Sequence, residues 1–247
     1  MNILLCNDDG ISSEGLKALA DKLSEKHNIL VVAPDGNRSG FSHSLTFDKP
    51  LVLKKRFMSE NYEAYSFSGT PVDCVKFATD KFAAFKPDLV VSGINNGSNI
   101  GTDVLYSGTV SAASEANALG YKSMAFSLAE RNAVSYEKAA EYFAEVAEKY
   151  YSLLSPAFVF NVNLPYADTD RVRGMKFTPL GVQIYTDKYL LGEDGNYTLV
   201  GEPIAHDKNE EDCDVEWIRK GFATITPVLL DRTAFSVLEK LKNGERE

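Results

Sequence analysis

The chain has 247 residues, 44% of them hydrophobic and 25% charged, with a net charge of −9. That length buries one full core, and the charge argues against a standing partnership with long nucleic acid, which needs a basic face. No run approaches the ~18 uncharged apolar residues of a membrane span.

The first predicted strand is Asn2 to Cys6, whose apolar run suits a strand covered on both faces of a parallel sheet. Straight after it come Asn7, Asp8, Asp9 and Gly10. The next stretch, SSEGLKALADKLSEKH, places Leu16, Leu19, Ala20 and Leu23 on one helical face. NILVVAP reads as a second buried strand, followed by the loop DGNRSGFSHS. Residues 46 to 70 carry hairpin patterning, with TFDKPLVLKKRF and YEAYSFS as its strands. Thr70-Pro71 then opens a helix with a capping hydroxyl and a first-turn proline. DLVVSG is a strand, SGTVSAASEANALG a helix and YKSMAFSL a strand. SYEKAAEYFAEVAEKYYSLL is a long amphipathic helix, and FVFNVNLP a further buried strand.

This alternation predicts an α/β fold, a Rossmann-like three-layer αβα sandwich around a mostly parallel sheet. In the last third, MKFTPLGVQIYTDKYLL and NYTLVG flank Gly-Glu-Asp-Gly and predict a long two-stranded hairpin. Such a hairpin is marginal alone in water, so a partner subunit is expected against it. An acidic stretch, HDKNEEDCDVE, then GFATITPV and a closing helix complete the chain. The expectation is one domain over 1–247, with a core to about 170 and a C-terminal extension over about 171–247. The three cysteines, Cys6, Cys74 and Cys213, are far apart and form no CxxC pair. With no basic N-terminal flank of the signal-peptide kind, they predict a reducing cytoplasm.

Three loops each follow a predicted parallel strand: Asn7 to Gly10, Asp35 to Ser44, and Gly93 to Gly101. In open α/β sheets ligands bind beyond the carboxyl ends of the strands, where strand order reverses, so these loops are expected to meet. Two adjacent carboxylates repel, and Asp8 with Asp9 therefore needs a cation, a shared proton or open water. An isolated Asp-Asp-Gly is most often a turn with one helix-capping aspartate. At the mouth of a buried strand a turn has no need of two charges, whereas Mg²⁺ typically sits on one or two carboxylates. Haloacid-dehalogenase phosphatases need their aspartates two apart, and Gly10 stands where the second would be.

The second loop offers Arg38, Ser39, Ser42, His43 and Ser44, although a Gly/Ser/Asn stretch is as often plain surface. The third contains neither GxGxxG nor a P-loop lysine. Its asparagines and glycines suit tight turns, or the close approach of backbone N–H groups to a small ligand. Tyr106-Ser107-Gly108-Thr109 runs into a helix whose free N–H groups suit a phosphate, a role compatible with Ser107 or Thr109 as an ordinary N-cap.

Together NDDG, APDGNRSGFSHSLT, SGTPVDCV, SGINNGSNIG, YSGTVSAASEA and DCDVEWIRKGFATITP resemble the survival protein SurE family of metal-dependent 5′/3′-nucleotidases. The resemblance implies a divalent metal on Asp8, Asp9, Ser39 and Asn95, and substrate phosphate at Asn96, Ser107, Gly108 and Thr109. It also implies a C-terminal extension used in homodimer or homotetramer formation. Phe41 departs from the small residue expected there, which bears on substrate preference more than on metal.

The resulting reading is a cytoplasmic phosphomonoesterase acting on nucleoside 5′- and 3′-monophosphates, with short polyphosphate as a further substrate. It uses one divalent cation per subunit, Mg²⁺ or Mn²⁺, with Ca²⁺ or Co²⁺ as alternatives. Asp8 or Asp9 orients the attacking water, and His43 is the candidate proton donor to the leaving oxygen. The competing reading is a Rossmann-like module that binds a nucleotide or sugar nucleotide without hydrolysing it. Neither reading includes a nucleic acid polymer or a membrane as partner.

Overall fold

The computed structural model of the chain describes residues 1–204 and 211–244. It begins with strand β1 (Asn2–Cys6), helix α1 (Glu14–Ser24) and strand β2 (Asn28–Pro34). A hairpin of β3 (Leu53–Arg56) and β4 (Glu63–Phe67) follows, then α2 (Pro71–Lys81) and β5 (Leu89–Asn96). Next come α3 (Gly108–Ala118), β6 (Ser123–Leu128), α4 (Glu137–Tyr150) and β7 (Phe158–Leu164). The last third holds β8 (Met175–Phe177), β9 (Ile184–Tyr185), β10 (Lys188–Leu191), β11 (Tyr197–Val200) and β12 (Pro203–Ile204). It closes with α5 (Asp214–Arg219), β13 (Ala223–Leu229) and α6 (Phe235–Lys242).

The central sheet runs β3-β4-β2-β1-β5-β6-β7-β13-β8, with β1, β2, β4, β5, β6 and β7 parallel. Period-two alternation sorts its side chains between two layers. Ile3, Leu5, Leu89 and Val91 pack with Leu16, Leu19 and Leu23 of α1 and Phe143 of α4. Leu4, Cys6 and Val90 face the other way, onto Val75 of α2 and Ala112 of α3. Both faces of the sheet are covered, which is why its strands read as unbroken apolar runs. This is the three-layer α/β architecture that the alternation of elements predicts.

The helix starts obey local rules. Ser13 caps α1 by accepting the Leu16 N–H at 3.3 Å. Thr70 and Asp73 form a reciprocal capping box on α2, and Ser107 caps α3 by accepting the Val110 N–H at 3.0 Å.

Two sequence expectations change. Residues 46–52 stay outside the hairpin, whose first strand begins at Leu53; Pro50 has no N–H to give a ladder. The long hairpin expected from Met175 onward is divided. Met175–Phe177 leaves it to pair in parallel with β13 at the edge of the central sheet, and β13 itself pairs antiparallel with β7. What projects is the β10–β11 ribbon, with the short β9–β12 pair at its base. Residues 206–210 of the acidic stretch lie outside the described residues, and Asp214 to Glu216 of the remainder begin α5, with Cys213 at its N-cap position.

Candidate active site

Strand order reverses between β2 on one side of β1 and β5 on the other. The crevice beyond the carboxyl ends of β1 and β5 is therefore the expected ligand edge, and Asp8 and Asp9 sit in its floor. Asn7, fully buried, ties its side chain to both backbone groups of Gly10 at 3.1 Å. That ring of bonds holds the two aspartates in one tight turn. Sequence reasoning gave Asn7 no role of its own. Its signal was there, since an asparagine opening a tight turn bonds its own backbone in this way.

Asp8 is 3% exposed and accepts a hydrogen bond from Thr109 Oγ1 at 2.5 Å. Burial pushes its carboxyl above the usual range; the Thr109 bond opposes that and the Asp9 charge adds to it. Burial raises Asp9 too, against the Asn96 backbone N–H bonded to Asp9 Oδ2 at 3.0 Å and the positive charge of Arg131. At Gly108 an added Cβ would lie 2.8 Å from Asp8 Cβ and 3.1 Å from Pro71 Cγ. Only glycine lets the start of α3 approach the carboxylate this closely.

The second loop is pinned over this floor. Arg38 N–H donates to the Asp8 carbonyl at 2.7 Å, which brings the adjacent Ser39 to the same edge. Ser42 N–H and Oγ donate to the carbonyls of Tyr106 and Leu105 at 3.1 and 2.6 Å. Further on, Thr70 Oγ1 donates to the Ser44 carbonyl and Thr46 Oγ1 to Asp73, both at 2.7 Å. A stretch that reads as surface loop is thus fastened at three places around the site.

Asn95 comes from the end of β5, where the register with β6 shifts between Ser92 and Asn95; bulges of this kind re-aim side chains beside functional sites. Its amide NH₂ donates to the Gly97 carbonyl at 2.8 Å, and among the described residues Oδ1 accepts no hydrogen bond, leaving its lone pairs for a ligand. The Asn96 side chain exchanges two bonds with Asn132: Asn132 N–H to Asn96 Oδ1 at 2.7 Å, and Asn96 Nδ2 to Asn132 Oδ1 at 3.0 Å. Its backbone N–H is what reaches Asp9. Asn99 points inward instead, into Asn161, Asn163 and Ser127. The loop is braced from behind by Asp214, fully buried, which accepts the N–H groups of Gly101 at 2.9 Å and Gly181 at 2.7 Å.

The structure therefore gathers Asp8, Asp9, Ser39, Asn95, Asn96, Ser107, Gly108 and Thr109 at one edge. His43 is directed elsewhere. Its Nε2 lies 2.8 Å from Glu115 Oε2, and the same carboxylate takes Lys76 Nζ at 2.6 Å. Glu115 stands six residues beyond Thr109 on α3, roughly 9 Å along the helix axis, so the ring is drawn away from the aspartate pair. Phe41 is 49% exposed, with the Arg38 guanidinium 5.8 Å from its ring centre.

The donor set suits a hard divalent cation, being all oxygen with no thiolate or imidazole. Among the described residues no group of three or more His, Cys, Asp or Glu side chains forms a metal cluster. Any oxygens beyond the two carboxylates must come from neutral groups such as Ser39 and Asn95. Two neighbouring carboxylates, one almost fully buried, are an unfavourable arrangement that a cation would relieve.

Fold and site together define a Rossmann-like α/β protein with an acidic, oxygen-lined site at its topological switch point. The chain belongs to the survival protein SurE family, whose model matches residues 3–187. It is 41% identical to the 5′-nucleotidase SurE of Clostridium botulinum (strain Loch Maree / Type A3), with 97% of each chain covered. It is 39% identical to the protein of the same name from Pseudothermotoga lettingae, over 99% of this chain and 96% of that one. The crystal structure of the SurE protein from Aquifex aeolicus superposes with a TM-score of 0.83 at 34% identity, covering 99% of both chains.

Proposed function

We propose that this chain is a metal-dependent phosphomonoesterase that releases phosphate from nucleoside 5′-monophosphates, and also from 3′-monophosphates and short polyphosphate. The names of its relatives support the nucleotidase reading. The observation that carries the metal dependence is the buried Asp8 carboxylate beside Asp9 at the switch point.

Asp8, Asp9, Ser39 and Asn95 would hold the ion, with Mg²⁺ or Mn²⁺ as the best fit and Ca²⁺ or Co²⁺ as alternatives. A divalent cation bound there supplies positive charge to the phosphoryl oxygens and acidifies a water. Thr109 keeps the Asp8 carboxylate oriented, and the Asn96 N–H does the same for Asp9. Asp8 or Asp9 orients the attacking water or takes its proton. The start of α3 at Ser107 to Thr109 presents backbone N–H groups where charge develops on the transferred group. His43 is assigned to holding the second loop through Glu115 rather than to proton donation.

The same reading places the enzyme in a reducing cytoplasm, consistent with three buried free cysteines. Among the described residues no helix is long and apolar enough to cross a membrane. It also makes the C-terminal ribbon the contact with a second copy of the chain, in a dimer or a tetramer. Tyr189, Leu191, Tyr197 and Leu199 are exposed on that two-stranded ribbon, an arrangement marginal without a partner.

The test is to incubate the pure protein with AMP and each of Mg²⁺, Mn²⁺, Ca²⁺ and Co²⁺ and to assay free phosphate. Release with at least one metal, abolished by EDTA, is expected. Binding of AMP without release under any metal leaves the non-hydrolytic module standing.

A further inference from the structure

The loop after β6 opens on the same sheet edge as the three loops read from the sequence, and it carries Arg131. Its placement is built. Asn132, the next residue, takes φ 54° and makes the paired side-chain and backbone bonds to Asn96. Asn96 in turn donates its N–H to Asp9. On the other side, Ala129 N–H donates to the Leu164 carbonyl at 2.8 Å. Between these anchors the Arg131 side chain lies across Gly97. At Gly97, φ is 134° and an added Cβ would stand 3.2 Å from both Cζ and Nη2 of the arginine. A side chain there would displace the guanidinium, so the glycine serves the arginine as well as the turn.

The charge is placed but not used internally. Among the described residues the guanidinium makes no hydrogen bond and no ion pair. It still acts electrostatically on Asp9, on Asp103 and on the Tyr185 hydroxyl, which donates to Asp103 Oδ2 at 2.6 Å. A planar fork of donors left open near Asp9 matches the two outward oxygens of a phosphate. A salt bridge built for stability would instead be closed onto its carboxylate.

We infer that Arg131 is a substrate-contacting residue that grips the phosphoryl group of a dianionic phosphomonoester. The inference rests on the phosphomonoesterase reading and adds to it the group that selects monoesters, with two free charges, over singly charged diesters. Because the grip is made before and during reaction alike, its loss is expected in KM more than in kcat.

The experiment compares wild type with Arg131→Gln, Arg131→Lys and Arg131→Ala. It measures kcat and KM for AMP with Mn²⁺, and binding of inorganic phosphate to the Mn²⁺-loaded protein by calorimetry. Arg131→Gln should raise KM and weaken phosphate binding about tenfold to a hundredfold, the range for hydrogen bonds to charged groups. Its kcat should stay within a few-fold and its thermal midpoint should be unchanged. Arg131→Lys should recover part of the loss, and free guanidinium ion should partly rescue Arg131→Ala, which a merely structural arginine would not show. KM and phosphate binding within twofold of wild type in Arg131→Gln would overturn the inference, as would failure of wild type to bind phosphate. Failure of wild type to hydrolyse AMP sinks the phosphomonoesterase reading instead, and the calorimetric comparison still decides the arginine.

Discussion

Thr109 Oγ1 donates to Asp8 Oδ1 at 2.5 Å, across 101 positions of sequence. The bond joins the start of α3 to the carboxylate at the end of β1 and counters part of the burial penalty on that carboxylate. Thr109→Val keeps the shape and removes the donor. Groups that orient a metal ligand typically contribute ten- to a hundredfold in metal affinity. Thr109→Val is therefore expected to shift the Mn²⁺ activation curve by roughly that factor, with near-normal turnover at saturating metal. An unshifted curve would show that Asp8 needs no such support.

Asp8→Asn and Asp9→Asn remove charge from a place where burial disfavours it. Each variant should lose most of its turnover while its metal-free thermal midpoint equals or exceeds that of wild type. Saturating Mn²⁺ should raise the wild-type midpoint by roughly 5–10 °C, the effect of a ligand at about a hundred times its Kd. It should leave both variants unmoved. Full activity of either variant in excess Mn²⁺ refutes the metal assignment.

Glu115 links α3 to the second loop and to α2. The His43 hydrogen bond, helped by Lys76 and opposed by burial, holds its carboxyl below the ordinary 4.5. The unfolded chain therefore binds the proton more tightly. The stabilisation is fully present above pH 4.5 and drains away as pH falls through the lower folded value. Glu115→Gln should lower the midpoint at pH 7 by roughly 2–6 °C. It should also flatten the acid limb of the stability profile below pH 4.5. An acid limb identical to wild type would remove this carboxylate from the account.

Phe41 exposes about half its surface two residues from Ser39, with Arg38 over its ring. Stacking a base on an aromatic ring contributes about 1–3 kcal/mol. Phe41→Ala should therefore raise KM for AMP roughly tenfold while sparing ribose 5-phosphate, and should leave the Mn²⁺ activation curve in place. Equal losses on the two substrates would make the residue a loop brace rather than a base contact.

Much of the site is legible in the sequence. Three strand-following loops of a parallel sheet share an edge by topology alone, and that rule brings Asp8, Asn95 and the Ser39 loop together. Applied once more, to the strand ending at Leu128, the same rule reaches Arg131 and Asn132. No local motif marks that loop, and an arginine in Glu-Arg-Asn reads as ordinary solvated surface. His43 shows the opposite difficulty. A lone histidine in a polar loop carries no sign of its partner, and the partner lies 72 positions away.

The sequence by itself determined the strand–helix alternation of the first two-thirds, the caps at Thr70 and Ser107, and the aspartate pair at the mouth of β1. Each depends on neighbours within a few residues, where backbone sterics and periodicity act directly. Only the tertiary structure decided that Met175–Phe177 joins the central sheet while Lys188–Leu191 pairs within its own ribbon. Both are short strands of similar local pattern, and hydrogen bonding across a sheet does not record its partner in the strand itself. The same holds for Thr109 on Asp8 and for Arg131 over Gly97, contacts that exist only once separate segments have packed.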